Sequence, residues 1–215
     1  MSDMTGTKAT ALERHCVDTE RAFVRFDYQG HGQSSGAFTD GTVGRWTEDA
    51  LAILDEVASG PQIVVGSSMG GWIMLLMALA RSERVAGLVG IAAAPDFVVR
   101  MWEEFSDDVK RQLETEGVYA RPSQYSDDPY QITMRLIEDG RRHCLLDKKP
   151  IAITCPVRLL HGMQDPDVPW PHSLTVAEAL ASDDVIVTLV KNGDHRLSEP
   201  ADIARLIDAV DALAD

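Results

Sequence analysis

The sequence has no apolar run long enough to cross a membrane, no cysteine framework and no excess of positive charge. Its longest apolar run begins at Trp72 and ends before Arg81, far short of the ~20 residues a spanning helix needs. Three cysteines, Cys16, Cys144 and Cys155, are widely spaced and form no Cys-x-x-Cys pair. That excludes a disulfide scaffold and a cysteine-rich zinc site. It fits a reducing compartment, with the three acting as small buried hydrophobes. Lys and Arg number 20 against 34 Asp and Glu, a formal net charge of −14. A surface of that sign repels phosphate backbones and anionic lipids, so nucleic acid and membranes are excluded as bulk electrostatic partners. The polar start, Met1 to Lys8, lacks the apolar stretch of a signal peptide, and no Arg-rich transit segment is visible. The expected location is therefore the cytoplasm.

What is present is the composition of a globular domain: 215 residues, 45% hydrophobic and 25% charged, enough for a sizeable core. Strand-like and helix-like segments alternate, which predicts an α/β fold with a mostly parallel sheet flanked by helices. Expected helices cover Lys8–Val17, Thr42–Ala58, Met69–Arg81, Ser173–Ala181 and Ala201–Ala214. Expected strands cover Ala22–Tyr28, Gln62–Gly66, Val85–Ala93, Val157–His161 and Val185–Lys191. Thr10 and Glu13 are spaced like a capping box in the first helix. Val24 and Phe26 share one face of the first strand. Trp46, Ala50, Ile53 and Val57 form the stripe of the second helix. Ile63 to Val65 reads as a buried parallel strand. Residues 95–150 break the rhythm, with charged helical pieces holding Trp102, Phe105, Tyr119, Tyr125 and Tyr130. They read as an insertion between a core of residues 1–94 and 151–215.

The strongest local signal is Gly66-Ser67-Ser68-Met69-Gly70-Gly71. It matches G-x-S-x-G between a strand and a helix, the context that motif requires. Small residues two before and two after the serine relieve crowding in a sharp strand-to-helix turn. The turn lifts the hydroxyl to the carboxyl edge of the sheet, beside a helix N-terminus that favours developing negative charge. Ser68 is the candidate nucleophile, and the N–H of Met69, the next residue, is a candidate oxyanion donor.

A serine hydroxyl needs a base, and the base needs an orienting acid. Behind a serine presented in this way the acid comes next in the chain and the histidine last. His195 follows the last strand, on the edge of the sheet that Ser68 occupies. Asp165, in His161-Gly162-Met163-Gln164-Asp165, follows the preceding strand and is favoured over Asp167. His31 and His161 read as packed structural side chains, and His15, His143 and His172 have no positional reason to be catalytic. The chemistry needs no metal and no cofactor.

These residues resemble a known family. Ser2-Asp3-Met4-Thr5-Gly6-Thr7-Lys8-Ala9, Arg25-Phe26-Asp27-Tyr28-Gln29-Gly30, Gly66-Ser67-Ser68-Met69-Gly70-Gly71-Trp72, His161-Gly162-Met163-Gln164-Asp165 and Asp194-His195-Arg196 are similar to segments of the α/β-hydrolases of the mitochondrial palmitoyl-protein thioesterase and acyl-glucuronide esterase type. The resemblance runs the whole length. It implies an α/β-hydrolase fold with a small helical cap at residues 95–150. It places nucleophile, acid and base on Ser68, Asp165 and His195, and implies hydrolysis of acyl thioesters and esters. Substrates would be small-molecule acyl esters or acylated proteins, with Trp102, Phe105 and Tyr119 the candidates to line an acyl pocket or, alternatively, to pack the cap.

The start departs from the family pattern. There, a strand and a glycine-containing loop with the second oxyanion donor precede the segment that begins here at Ser2. The expectation is a sheet short of its first strands, one of them between the segments at Ala22–Tyr28 and Gln62–Gly66, with a natural start further upstream. Loss of one oxyanion donor would lower the rate on the order of 10²–10³-fold. The alternatives are a general carboxylesterase and a truncated, non-catalytic scaffold.

Overall fold

A computed structural model of the chain describes residues 3–122 and 129–214. Ser2 and Tyr125 lie outside them. The elements in order are α1 (Thr7–Asp18), α2 (Val43–Glu56), β1 (Gln62–Ser67), α3 (Met69–Ala80), β2 (Val85–Ile91), α4 (Phe97–Glu104), α5 (Asp107–Glu116), β3 (Val118–Arg121), β4 (Tyr130–Thr133), α6 (Met134–Arg142), β5 (Val157–Gly162), α7 (Pro171–Ala179), β6 (Val185–Val190) and α8 (Pro200–Ala214). The main sheet is fully parallel, in the order β1-β2-β5-β6.

Period-two alternation sends neighbouring strand residues to opposite faces, and both faces are covered. Leu88 of β2 and Leu159 of β5 join α2, α3 and α7 in the larger core, around the fully buried Trp46, Trp72, Ile73 and Leu75. Val89, Ile91 and Leu160 face the other way, against Leu12 of α1 and Leu206 and Val210 of α8. This three-layer sandwich points the carboxyl ends of β1, β5 and β6 to one edge, where the chain turns out at Ser68, Asp165 and His195.

Some expectations about local structure are corrected. Residues 22–28 form no strand, because a ladder needs a paired neighbour and none exists for them among the described residues. Val24 is exposed while Phe26 packs on the core. β1 is an edge strand in the described sheet, and Ile63 to Val65 are half-buried rather than enclosed. α2 buries Val43, Trp46, Thr47, Ala50 and Leu54, whereas Val57 is exposed. In α1 the Thr10 hydroxyl bonds back to the carbonyls of Gly6 and Thr7, and Glu13 pairs with Arg25. No capping box forms there.

Between β2 and β5 the chain leaves the sheet for α4, α5, the antiparallel ribbon β3–β4 and α6. The ribbon was not foreseen from the sequence. This segment is closed on itself at its base and bolted to the core at named points. The Asp96 carboxylate accepts the N–H groups of Leu145 and Leu146 at 2.9 and 2.8 Å. Trp72 Nε1 donates to the His143 carbonyl at 3.2 Å, and Asp139 Oδ2 accepts from Gly44 N at 2.7 Å. Among the described residues no helix is long and apolar enough to cross a membrane.

Candidate active site

The turn at Ser68 is built by close backbone approach. Ser68 has φ 55° and ψ −118°, a conformation that L residues rarely adopt and that its surroundings must hold. Its N–H donates to the Ile91 carbonyl at 2.9 Å, and its own carbonyl accepts from Gly71 N at 2.9 Å and Ala94 N at 3.1 Å. Ser67, the last residue of β1, is in register with Ile91 of β2. The elbow is thereby tied to the neighbouring strand. Met69 opens α3, and a helix leaves its first N–H groups without intrahelical acceptors. That frees the Met69 N–H for an anion.

The glycines divide the work differently from the sequence expectation. A Cβ on Gly66 would lie 2.3 Å from the Gly70 carbonyl oxygen, and one on Gly71 would lie 2.5 Å from Ala93 Cβ. A Cβ on Gly70 would meet nothing within 4 Å. The residue two after the serine is therefore crowded through its backbone, not at its own Cα, and the tight helix position is the next one. Gly66→Ala is expected to destabilise the fold by about 1–3 kcal/mol through overpacking. Gly70→Ala is expected to leave stability unchanged or raise it by roughly 0.4–1 kcal/mol by restricting the unfolded chain. Thermal melts of the two variants check this, and the reverse order would contradict it.

The structure brings Ser68, His195 and Asp165 into one line. His195 Nε2 lies 3.1 Å from Ser68 Oγ, and His195 Nδ1 lies 2.7 Å from Asp165 Oδ2. The Asp165 side chain is fully buried and that of His195 only slightly exposed. The second carboxylate oxygen, Oδ1, accepts the N–H groups of Asp167 and Val168, both at 2.8 Å. A third side chain, His161, reaches Oδ2 through Nε2 at 3.1 Å. Burial alone would push the Asp165 carboxyl up. The hydrogen bonds from His161, His195 and Val168 N–H, with the charge of His195, outweigh it and hold the group well below the ordinary carboxylate range. Asp165 therefore stays ionised where a histidine base works.

The loop that carries His195 is placed by contacts that sequence reasoning did not single out. Gly162 ends β5 where a Cβ would lie 2.3 and 2.4 Å from the carbonyl oxygens of Gly193 and Asp194. Its missing side chain lets the His195 loop lie on the acid loop. Gln164 N then donates to the Gly193 carbonyl at 2.9 Å. Asp194 does not reach His195. Its Oδ1 accepts Arg196 N at 3.0 Å and Leu197 N at 2.9 Å, closing the turn. Lys8 of α1 donates to the Arg196 carbonyl. Burial pulls its ammonium below the ordinary lysine value, and the Asp194 carboxylate offsets part of that. On the other flank Arg100 of α4 donates to the Asp167 carbonyl, which fastens the inserted segment to the acid loop. The compact His-Gly-x-x-Asp spacing was the one available signal that His161 and Gly162 belong to the site.

Asp165, Asp167 and His195 also bring donor atoms within 4.8 Å of one another, the one grouping among the described residues that could hold a cation. Asp165 already accepts four donors, and His195 Nε2 faces Ser68. Hydrogen bonding accounts for the cluster without a metal.

The three aromatic candidates for substrate contact make ring contacts within the inserted segment and pack against the core. Trp102 on α4 lies under the Arg141 guanidinium, 4.8 Å from its ring centroid. Phe105 and Tyr119 meet edge to face at 5.7 Å. They help to wall a cavity of about 370 Å³ with Glu104, Ser106, Val109 and Arg121. Neither Ser68 nor His195 is in its wall. All three also pack partly buried against the core, which favours the packing alternative for these side chains. His31 is buried in a nest of Tyr28, Phe38 and Trp46 rings, and is structural.

Residues 9–206 match the family model described as alpha/beta hydrolase family. Over its whole length the chain is 49% identical to the mouse mitochondrial palmitoyl-protein thioesterase ABHD10, of which it covers 72%. It is 45% identical to the human protein of that name, covering 70%. The solved structure of mouse alpha/beta hydrolase domain-containing protein 10 aligns over all of this chain and 86% of its own, with 48% identity and a TM-score of 0.92. A solved structure from Agrobacterium vitis S4 aligns over all of this chain and 84% of its own, with 45% identity and a TM-score of 0.96. One expectation falls here. The cytoplasm was inferred from the lack of a leader, but the relatives that match the full chain are mitochondrial proteins, and they extend beyond the matched span. An absence within 215 residues carries no address.

Proposed function

The chain belongs to the alpha/beta hydrolase family, and from that premise we propose that it is a serine hydrolase that cleaves acyl thioesters and esters through an acyl-enzyme. The observation that carries this is the unbroken run from Asp165 Oδ2 through His195 to Ser68 Oγ, at 2.7 and 3.1 Å, on the edge of the sheet where β1, β5 and β6 end. Asp165 accepts the Nδ1–H of His195, which leaves Nε2 as the proton acceptor. Ser68 Oγ attacks the acyl carbonyl carbon while its proton passes to Nε2. The carbonyl oxygen becomes an oxyanion facing the Met69 N–H at the start of α3. Collapse expels the thiolate or alkoxide, which takes the proton from His195 as it leaves. Water then attacks the acyl-serine and gives its proton to Nε2, which passes it to Ser68 Oγ as the Oγ–acyl bond breaks and the carboxylic acid is freed.

The name of the mouse and human relatives supports an acylated protein as substrate. The segment 95–150 then acts as a cap over the catalytic edge, fastened to the core through Arg100, Asp139 and the His143 carbonyl. The test compares kcat/KM on matched acyl thioesters and oxygen esters of the same chain lengths. The expected result is at least equal turnover of the thioesters, with rate rising from short to long chains. Turnover of oxygen esters alone would make the protein a general carboxylesterase.

A further inference from the structure

The catalytic line proposed above leaves unused a buried histidine that also contacts the Asp165 carboxylate. His161 is fully buried. Its Nε2 lies 3.1 Å from Asp165 Oδ2 and 3.0 Å from the Val168 carbonyl oxygen. Both partners are acceptors, so Nε2 carries the hydrogen. Nδ1 is left facing Ser173 Oγ at 2.6 Å, and Ser173 is itself buried. With Nε2 protonated, the neutral ring accepts the Ser173 O–H at Nδ1. The result is a continuous hydrogen-bonded chain from Ser173 through His161, Asp165 and His195 to Ser68, buried as far as the Asp165 carboxylate. It is anchored at the far end on α7, an element that carries none of the catalytic groups.

We infer that His161, locked by Ser173, is a positioning residue for proton transfer, setting both the orientation of the Asp165 carboxylate and the strength with which it holds His195. The geometry is specific. His161 and His195 compete for one oxygen, Oδ2, while Oδ1 is occupied by the N–H groups of Asp167 and Val168. A donor on Oδ2 draws charge away from the bond to His195, so the His161 contact tempers how firmly Asp165 stabilises the imidazolium. Removing it leaves His195 as the sole donor on Oδ2. The charged form of His195 is then favoured, and the acid limb of the rate profile moves to higher pH. The carboxylate also loses a fixed point, and a base misaligned by a fraction of an ångström costs rate rather than binding. The other charged or titratable groups around this unit are Asp167 on the same loop, Arg100 of α4 through the Asp167 carbonyl, and His172 of α7, which bonds to the Pro95 carbonyl at 3.0 Å. Burial pushes His172 below its ordinary value. None of these groups is altered in the variants below.

This inference rests on the serine hydrolase reading, and the experiment separates the two. Wild type, His161→Leu, His161→Gln and Ser173→Ala are compared by kcat, KM and the pH profile on a short acyl p-nitrophenyl ester. The rate of fluorophosphonate labelling and the melting temperature are measured alongside. For His161→Leu the expected result is a fall in kcat of about 10–100-fold with KM nearly unchanged. Its acid limb should move up by about half a pH unit. His161→Gln keeps a donor near the Nε2 position and is expected to restore the acid limb to that of wild type. Ser173→Ala, a small change in volume, is expected to shift the limb in the same direction by less, and it carries the test if His161→Leu does not fold. A folded His161→Leu or Ser173→Ala with the wild-type kcat and profile overturns the inference. So does loss of stability alone, with the limb unmoved. A wild-type protein that neither turns over nor labels removes the hydrolase reading, and the inference with it.

Discussion

Ser68→Ala is expected to lower kcat on an acyl ester by about 10⁵–10⁶-fold while the fold survives. The hydroxyl has one side-chain partner, His195 Nε2, and the elbow is held by backbone contacts to Ile91, Gly71 and Ala94 that alanine keeps. Alanine accepts the positive φ at the same steric cost as serine. The melting temperature should therefore stay close to that of wild type. What remains after the substitution is the Met69 N–H and substrate binding, which orient an acyl group but supply no nucleophile. The check is kcat with a long acyl ester, normalised to folded protein. A variant that keeps more than a few per cent of wild-type activity would place the nucleophile elsewhere.

Asp165→Asn is expected to cost about 10⁴-fold in kcat, and Asp167→Asn only a few-fold. Four donors converge on Asp165: His161 Nε2, His195 Nδ1, and the N–H groups of Asp167 and Val168. An asparagine offers one oxygen and one NH₂, so at least one pair of donors meets another donor. If the amide oxygen stays with the loop N–H groups, the NH₂ faces His195 and turns it to the wrong tautomer. If it flips, the loop loses its hub. Asp167 contributes to this arrangement through its backbone, with N–H to Asp165 and C=O to Arg100, and its side chain is not part of the line to Ser68. Parallel kinetics and melting curves on the two variants decide the matter. Full activity in Asp165→Asn with loss in Asp167→Asn would exchange the two roles.

How much of this was legible in the sequence follows from what periodicity encodes. Hydrophobic alternation placed β2, β5 and β6 within a residue or two, because each strand carries its apolar signature locally. Residues 22–28 carry a comparable signature yet form no strand, since a strand also needs hydrogen bonds from a neighbour and no pattern within the segment supplies one. The stripe of α2 was right at Trp46 and Ala50 and drifted only toward the end of the helix, where Leu54 rather than Ile53 is buried. Val57 ends the helix as an exposed cap residue, which spacing alone does not reveal. The ribbon β3–β4 was missed because its four-residue strands are too short to show a period. Around the site, Gly66 and Ser68 were readable because a sharp strand-to-helix turn leaves few residue choices. The crowding at Gly71 and Gly162 was not, because it comes from Ala93 and from the 193–194 backbone, which reach those positions only in the folded chain. His161 looked like a packed histidine, and it is one. Its contact with Asp165 crosses a loop that folds back on the strand end, where helical spacing rules do not apply.

Whether Ser68 is the nucleophile is read most directly from the intact mass of the folded protein after exposure to a fluorophosphonate, with peptide mapping of the adduct. One phosphonyl group on Ser68, absent in Ser68→Ala and slowed in Asp165→Asn, is the predicted result. A folded protein that stays unmodified, or carries the group at another residue, would contradict it.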